Sequence, residues 1–301
     1  MKNWTTKNIP SQMGKIVVIT GANSGVGFAT TEALARKGAK VVMAVRNLEK
    51  GKEAKNEILK ETPKAQLDLI KLDLADLNSV EKFSSEFHQS YNQLDVLINN
   101  AGIYKSKREE TAQGFEAHFG VNYLAHFVLT LKLLSSLQKS DDARIVTVSS
   151  FIPKLMNSFM NWGDLQFKQN YSAIAAYGQS KLATILFGLK LDRKLKGHQS
   201  SIKSIIVNPG FTKSGIKKEM NFLMKVSMKL VAQETDMGML PSLLAAIDEK
   251  VEGGEFLSPN KLKEMRGYPE LINPPKQALN IEGQEKLWKI SEEMTKVKFS
   301  L

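Results

Sequence analysis

Short apolar runs of strand length alternate along the chain with longer stretches whose apolar positions recur at helical spacing. The first run, Lys-Ile-Val-Val-Ile-Thr over residues 15–20, is rich in β-branched residues, as buried parallel strands are. Asn78 and Glu81 are expected to form a capping box in the third predicted helix. We predict strands over residues 15–20, 39–45, 66–72, 94–98, 144–148 and 253–257. We predict helices over residues 28–37, 48–61, 76–91, 115–134, 234–250 and 282–297, and one that carries Tyr177 and Lys181.

This alternation predicts a doubly wound α/β fold, in which a Rossmann-like parallel sheet carries helices on both faces. A proline-rich loop over residues 269–275 is expected to lead into the last helix. We expect a single domain over residues 1–301, with a cofactor-binding and catalytic core (14–210), a substrate-covering segment (211–235) and a C-terminal tail with a closing helix (259–301).

The first predicted strand runs directly into a glycine-rich turn, Thr20-Gly-Ala-Asn-Ser-Gly-Val-Gly27, and a helical pattern follows. Glycines let the backbone close on a pyrophosphate, and the free N–H groups of a helix N-terminus favour its charge. Three glycines also suit an ordinary turn, but the strand before and the helix after favour a dinucleotide site. We expect cofactor contacts from Gly21, Asn23, Ser24, Gly25, Val26 and Gly27.

The end of the second predicted strand is where this kind of fold contacts the adenosine ribose. An NAD-specific site would carry an acidic residue there, but the chain has Val45 followed by Arg46. A guanidinium binds a 2′-phosphate with charge-assisted hydrogen bonds, whereas a carboxylate would repel it. Arg46 therefore predicts NADP(H), the alternative being a surface arginine at a strand end.

Polar side chains follow several predicted strands, at the edge of the sheet where ligands bind in such folds. Asp73 is expected to accept a hydrogen bond from the adenine amino group, and Asn99 either ties strands together or contacts the cofactor. Asn122 lies within an apolar helix, so it is either a structural bridge or a site residue that holds water. Ser149 and Ser150 end the fifth strand and point a hydroxyl at the same crevice.

Tyr177 and Lys181 are four residues apart, one turn along the same face of a helix. A neighbouring cation stabilises a phenolate, so Lys181 is expected to lower the pKa of Tyr177 from about 10 toward neutrality. Such a tyrosine can donate a proton to a carbonyl oxygen or accept one from an alcohol. Taken alone, this spacing more often marks an ordinary helix surface.

Composition limits the chemistry further. The chain has no cysteine, which excludes disulfides, thiolate catalysis and Cys-ligated metals, and its four histidines show no metal-binding spacing, so we expect no metal. The net charge is +11, but the lysines are scattered along helices and no nucleic-acid motif is present, so we expect no nucleic-acid partner. We find no signal peptide and no apolar run near ~20 residues, and therefore expect no membrane span and a cytoplasmic location.

The order of these motifs resembles the short-chain dehydrogenase/reductase family. The Thr-Gly-Ala-Asn-Ser-Gly turn, Val-Arg-Asn after the second strand and Val-Asn-Tyr-Leu-x-His-Phe are similar to its retinol dehydrogenase-like branch, and the resemblance covers residues 14–258. The family motifs are Thr20-Gly-x-x-x-Gly-x-Gly27, Asn99-Asn-Ala-Gly102, Asn122, Val148-Ser-Ser150, Tyr177-x-x-x-Lys181 and Asn208-Pro209-Gly210.

The resemblance implies a role for each catalytic residue. Tyr177 would be the general acid/base, and Lys181 would lower its pKa and hold the nicotinamide ribose hydroxyls. Ser150, the second serine of its pair as in the family, would hydrogen-bond the substrate oxygen, and Asn122 would position a water that feeds protons toward Lys181. The resemblance also implies cofactor contacts from Leu74, Asn99, Ala101, Gly102, Tyr177, Lys181, Pro209, Gly210 and Thr212.

Several features depart from the family pattern. The stretch between Ser150 and Tyr177 is long and is expected to reshape the pocket rim or a dimer interface, so a homo-oligomer stays an open alternative. The run 211–214 is a looser version of the usual motif after Pro-Gly, and we expect no N-terminal anchor like that of many vertebrate retinol dehydrogenases. Residues 216–231 have one methionine-rich apolar face, which would line a substrate pocket, pack ordinarily or meet an anionic membrane surface.

These patterns together predict an NADPH-dependent oxidoreductase that reduces an apolar aldehyde or ketone, with a small-molecule substrate as its partner. The first alternative is an NAD(P)+-dependent alcohol dehydrogenase that works in the oxidative direction. The second is a dinucleotide-binding scaffold protein without turnover, which the presence of both Tyr177 and Lys181 disfavours.

Overall fold

A computed structural model describes residues 3–212 and 232–301 of the chain. Its centre is an eight-stranded sheet in the order β3-β2-β1-β4-β5-β6-β7-β8, in which all neighbours are parallel except the antiparallel pair β7–β8. This arrangement confirms the predicted doubly wound α/β fold. The strands are β1 (Ile16–Thr20), β2 (Lys40–Val45), β3 (Gln66–Lys71), β4 (Val96–Asn99), β5 (Arg144–Val148), β6 (Lys203–Val207), β7 (Phe256–Lys261) and β8 (Arg266–Ile272).

Helices cover both faces of the sheet. In chain order the described α-helices are α1 (Gly25–Arg36), α2 (Leu48–Glu61), α3 (Leu77–Ser90), α4 (Ala125–Leu137), α5 (Ile152–Leu155), α6 (Ala173–Gly197), α7 (Thr235–Gly238), α8 (Leu240–Ile247) and α9 (Ile281–Thr295). A π-helical segment, Phe119–Leu124, leads directly into α4, and short 3-10 turns lie at Thr6–Asn8 and Lys276–Leu279.

Two apolar cores lie on opposite faces of the sheet, because successive strand residues point to opposite sides. Val17 and Ile19 of β1 belong to the core beneath α1, α2 and α8, whereas Val18 belongs to the core beneath α3, α4 and α6. Helix α9 joins the second core, where Trp288 packs against the rings of Phe127 and Phe187. Burial on both faces is the reason that the strands read as continuous apolar runs.

Several predicted elements are corrected by the structure. The sequence analysis assigned no element to 203–207, which form β6, and the predicted loop at 269–275 is in large part β8, where Pro269 occupies an edge strand. The predicted helix over 234–250 is two short helices, with Pro241 in the first turn of the second.

The predicted capping box is also wrong. Helix α3 begins at Leu77, and the side chain of Asp76 caps it by accepting a hydrogen bond from the backbone N–H of Asn78. The helix predicted over 115–134 starts later than expected, because the Glu116 carboxylate accepts from the backbone amides at its beginning.

No helix in the described parts of the chain is long and apolar enough to cross a membrane. The predictions for residues 216–231 and for Lys213 and Ser214 fall outside the described residues.

Candidate active site

The glycine turn between β1 and α1 is held by its contacts with the Asn99–Gly102 turn beyond β4. Gly21 has a φ of +66°, which favours glycine. A Cβ on Gly27 would lie 2.4 Å from the Gly21 carbonyl oxygen and 2.5 Å from Asn100 Nδ2, so no side chain fits there. The Thr20 hydroxyl accepts hydrogen bonds from the backbone amides of Asn100 and Ala101, both at 2.9 Å. Hydrogen bonds thus join the glycine turn to the Asn99–Gly102 turn at one edge of the sheet.

Helix α1 starts within this turn and directs its N-terminus at the same edge. Ser24 is the extended N-cap residue, and its side chain makes no capping hydrogen bond. Val26 is buried beside it, Asn23 lies in the turn, and Gly25 is the first residue of the helix. Backbone amides at a helix start in a glycine-lined cradle suit a pyrophosphate, so these residues fit a bound dinucleotide. Individual cofactor contacts remain predictions.

Arg46 follows β2 at the edge of the sheet where the glycine turn follows β1. It is exposed, and its guanidinium forms no ion pair or hydrogen bond with any described residue. Its charge is therefore available to an anionic ligand. Asp73, after β3, is half-buried, and its carboxylate already accepts from the backbone N–H of Ala75, next to the buried Leu74.

The buried Asn99 side chain favours the structural alternative. Its amide nitrogen donates to the Thr130 hydroxyl in α4 at 2.8 Å, so it links a strand to a helix, where we had expected a link between strands.

Tyr177 lies in the first half of α6, against an aromatic wall that the sequence analysis did not identify. Its ring meets the edges or faces of Tyr104 and His118 at centroid distances of 5.5 Å and 5.8 Å. Burial raises the pKa of Tyr177 to about 12, a hydrogen bond with Ser150 opposes that rise, and the nearby Tyr104 adds to it. Ser150, rather than Lys181, is thus the group that favours the phenolate in this structure.

Lys181 is buried one turn further along α6, with 4% of its surface exposed. Its ammonium group donates to the Val148 carbonyl oxygen at 3.0 Å, at the end of β5. Burial lowers the pKa of Lys181 to about 8. The expected lowering of the Tyr177 pKa by Lys181 is not seen here, and for the enzyme with its cofactor it stays a prediction.

The two serines after β5 have different surroundings. The Ser149 hydroxyl donates to the Lys181 carbonyl oxygen at 2.7 Å, which engages it in the backbone of α6. Ser150 instead hydrogen-bonds Tyr177 and accepts from the backbone N–H of Ile152. Geometry therefore favours Ser150 as the serine that faces the substrate.

Ser150→Ala is accordingly expected to lower kcat/KM for a carbonyl substrate by about 10- to 100-fold, since one hydrogen bond to developing charge is lost. Ser149→Ala, the matched control, should mainly lower the melting temperature. Steady-state kinetics and thermal unfolding of both variants measure this difference, and equal kinetic losses would contradict it.

Asn122 lies in the π-helical segment and bridges two parts of the site. Its Oδ1 accepts from the Ile103 amide at 2.7 Å, and its Nδ2 donates to the Ile103 carbonyl and to the Ser180 hydroxyl at 3.1 and 3.0 Å. A Cβ on Gly102 would lie 3.3 Å from Lys181 Nζ and 3.4 Å from Asn122 Oδ1, so these groups are neighbours. The bridging alternative therefore holds for the side chain, and the water-positioning role stays a prediction.

His126 is a further site residue that the sequence analysis did not single out. Its Nδ1 lies 3.1 Å from the Asn122 carbonyl oxygen and its Nε2 lies 3.0 Å from the Thr20 hydroxyl, so it connects the π-helical segment to the glycine turn. Burial lowers the pKa of His126 to about 4, with Lys181 adding to this effect. Its position one helical turn after Asn122 was the available signal.

The segment after β6 closes the cofactor side of the site. Gly210 has a φ of +73°, and its backbone N–H donates to the side chain of Asn208. Thr212 is buried, and a Cβ on Gly238 would lie 2.2 Å from its methyl carbon, 3.3 Å from the Pro209 carbonyl oxygen and 3.3 Å from Val26. Pro209 and Thr212 thus lie near Val26 at the start of α1, and their contacts with the cofactor stay predictions.

Comparisons with known proteins agree with this geometry. Mouse retinol dehydrogenase 12 is 37% identical over 286 residues, which cover 93% of this chain and 86% of the mouse protein. Human polyprenol dehydrogenase is 35% identical over 298 residues, covering 96% and 87% of the two chains. A short-chain dehydrogenase of Shigella flexneri complexed with NADP is 25% identical, with a TM-score of 0.65 over 81% of this chain and 96% of that one.

The family model for short chain dehydrogenases matches residues 15–222. Both curated relatives align across nearly the whole chain, and the glycine turn, Ser150, Tyr177 and Lys181 lie at one edge of the sheet. The chain uses an NAD(P) dinucleotide and acts on small alcohol or carbonyl substrates. It belongs to the short-chain dehydrogenase/reductase family, as an oxidoreductase acting on CH–OH groups.

Proposed function

We propose that the enzyme reduces apolar aldehydes or ketones with NADPH. The observation that carries this proposal is the arrangement of α6: Tyr177 hydrogen-bonds Ser150, and Lys181, one turn further along, reaches the end of β5 at the same edge as the glycine turn. The nicotinamide, when bound, supplies a hydride to the carbonyl carbon. Tyr177 gives its proton to the carbonyl oxygen, which Ser150 holds by a hydrogen bond. Lys181 would hold the ribose hydroxyls of the bound cofactor, and Asn122 would position a water that returns a proton toward Lys181.

The apolar nature of the substrate rests on the relatives. Two of these relatives are named after retinol and polyprenol, which are both long apolar alcohols. Their names also support the oxidative direction as a second candidate. A cofactor assay settles the direction: NADPH with a panel of apolar aldehydes and ketones, beside NADP+ with the matching alcohols. The proposal requires that the carbonyl compounds turn over faster than the matching alcohols. If the alcohols turn over faster, the proposal is contradicted.

The scaffold alternative has a different outcome in the same assay. A dinucleotide-binding scaffold would bind NADPH tightly and oxidise none of it across the whole carbonyl panel. We also propose that the enzyme is cytoplasmic and consists of a single catalytic domain.

Arg46 supports the preference for NADPH, because its exposed guanidinium has no described partner and follows β2. Arg46→Ala is expected to weaken NADPH binding by about 10- to 100-fold and NADH binding far less, since a charge-assisted hydrogen bond is worth roughly 1.5–3 kcal/mol. Titration of both cofactors measures this. Arg36→Ala, at the far end of α1, is the control and should change neither affinity; equal losses for both cofactors in Arg46→Ala would contradict the assignment.

A further inference from the structure

Glu116 and His118 form a buried pair, in which the His118 ring is itself part of the aromatic wall beside Tyr177. Both side chains are fully buried, and His118 Nδ1 lies 2.9 Å from a Glu116 carboxylate oxygen. The backbone N–H of Lys105 donates to His118 Nε2 at 2.8 Å. Since an amide nitrogen can only donate, Nε2 must accept, and the single imidazole proton is on Nδ1, where it is donated to Glu116. The orientation of the imidazole is therefore set by a hydrogen bond at each of its nitrogens.

The carboxylate of Glu116 is itself held in place by the start of the helix. It accepts from the backbone amides of His118 and Phe119 at 3.0 and 2.8 Å. Burial acts to raise the pKa of Glu116, but these hydrogen bonds and that from His118 outweigh it and lower the pKa. The group that orients His118 is therefore an ionised, fully hydrogen-bonded carboxylate.

His118 in turn fixes the surroundings of the Tyr177 ring. The two rings meet nearly perpendicularly, at 79° and 5.8 Å, and Tyr104 contacts both, at 5.5 Å from Tyr177 and 5.6 Å from His118. Tyr104 precedes Lys105, whose amide is bound by His118. One imidazole thus packs on Tyr177 directly and also anchors the backbone that presents Tyr104 to it.

The pair also connects Tyr177 to the long stretch that precedes α6. The backbone N–H of Glu116 donates to the side chain of Gln166 at 2.7 Å, and the Tyr171 hydroxyl lies 3.4 Å from the Glu116 carboxylate and 3.3 Å from His118 Nδ1. Glu116 and His118 thus contact two residues, Gln166 and Tyr171, of the stretch that precedes α6.

We propose that Glu116 and His118 are positioning residues for Tyr177: they hold the phenol ring in the orientation that proton transfer to the substrate requires. This inference rests on the proposed acid/base role of Tyr177. Loss of the pair would let the ring turn away from Ser150, and a displacement near 1 Å in an active site can lower the rate by about 10²-fold.

The kinetic test compares His118→Phe, which keeps an aromatic ring but removes both hydrogen bonds, with His88→Phe, which changes an exposed histidine on α3. We expect His118→Phe to lower kcat by about 10- to 100-fold with the NADPH dissociation constant unchanged, and His88→Phe to match the wild type. His118→Asn keeps a donor for Glu116 and should lie between them. Wild-type kcat in His118→Phe, or an equal loss of NADPH affinity, would overturn the proposal.

A readout without turnover separates this proposal from the proposed function. In protein labelled with 3-fluorotyrosine, the ¹⁹F resonance of residue 177 is identified by its absence in Tyr177→Phe. It should shift or broaden in His118→Phe and stay in place in His88→Phe. If none of the carbonyl compounds supports NADPH oxidation by the wild type, the proposed function fails. The resonance still decides whether His118 positions the ring. An unchanged resonance in His118→Phe overturns the positioning role.

Discussion

Tyr177→Phe is expected to lower kcat for carbonyl reduction by about 10²- to 10⁴-fold, because in the proposed mechanism the phenol donates a proton to the substrate oxygen, and general acid catalysis contributes a factor of that size. The substitution removes one hydroxyl and keeps the ring that packs against Tyr104 and His118. NADPH affinity and the melting temperature should therefore change little. Single-turnover oxidation of NADPH with an excess of aldehyde measures the step directly.

Tyr268→Phe is the matched control for this experiment. Tyr268 lies in β8 and packs against the apolar core opposite the one that contains α6, so it should keep wild-type kinetics when it loses its hydroxyl. If Tyr177→Phe still reduces carbonyl compounds at the wild-type rate, the acid/base assignment is wrong.

Lys181→Met is expected to inactivate the enzyme and also to stabilise the protein. The variant lacks the ammonium group that we propose holds the nicotinamide ribose, so kcat/KM should fall by at least about 10²-fold. In the protein without cofactor, however, the buried charge is a cost: the Lys181 pKa is about 8, below the ordinary value of 10.5. Each pKa unit corresponds to about 1.4 kcal/mol, so removing the charge should raise the free energy of unfolding at pH 7 by up to about 3 kcal/mol.

The same shift predicts a pH dependence with a definite sign. Between pH 8 and 10.5 the unfolded chain binds more protons at Lys181 than the folded chain does, so wild-type stability should rise with pH across that range. Below pH 8 the penalty is fully present. Urea unfolding at several pH values, in the wild type and Lys181→Met, measures the contribution as the difference in slope. A variant less stable than the wild type at pH 7, or one with the same slope, contradicts this account.

The Tyr177–Lys181 pair and the glycine turn could be located in the sequence because each is a local pattern, and the order of the family motifs gave the pair its predicted role. Tyr177 and Lys181 share a helix face, and the turn from Thr20 to Gly27 needs glycine for reasons of backbone geometry that any sequence must obey. Strands buried on both faces are continuous apolar runs, so most of the parallel sheet could be predicted, although β6 was missed and β8 was taken as a loop.

The surroundings of Tyr177 could not be read in this way. Glu116, His118 and Tyr104 are distant from it in the chain and approach it only when α6 packs beside the π-helical segment. The choice between Ser149 and Ser150 likewise depended on which hydroxyl reaches the backbone of α6.

By itself, then, the sequence determined the fold class, through the alternation of strand and helix patterns, and membership of a family of NAD(P)-dependent oxidoreductases, through the order of its motifs along the chain. Only the tertiary structure decided which groups act on Tyr177 and Lys181. Burial shifts the pKa values of Tyr177 and Lys181 away from their ordinary ranges, and the hydrogen bond from Ser150 opposes the shift at Tyr177. Desolvation and long-range contacts exist only once the chain has packed, and no local pattern encodes them.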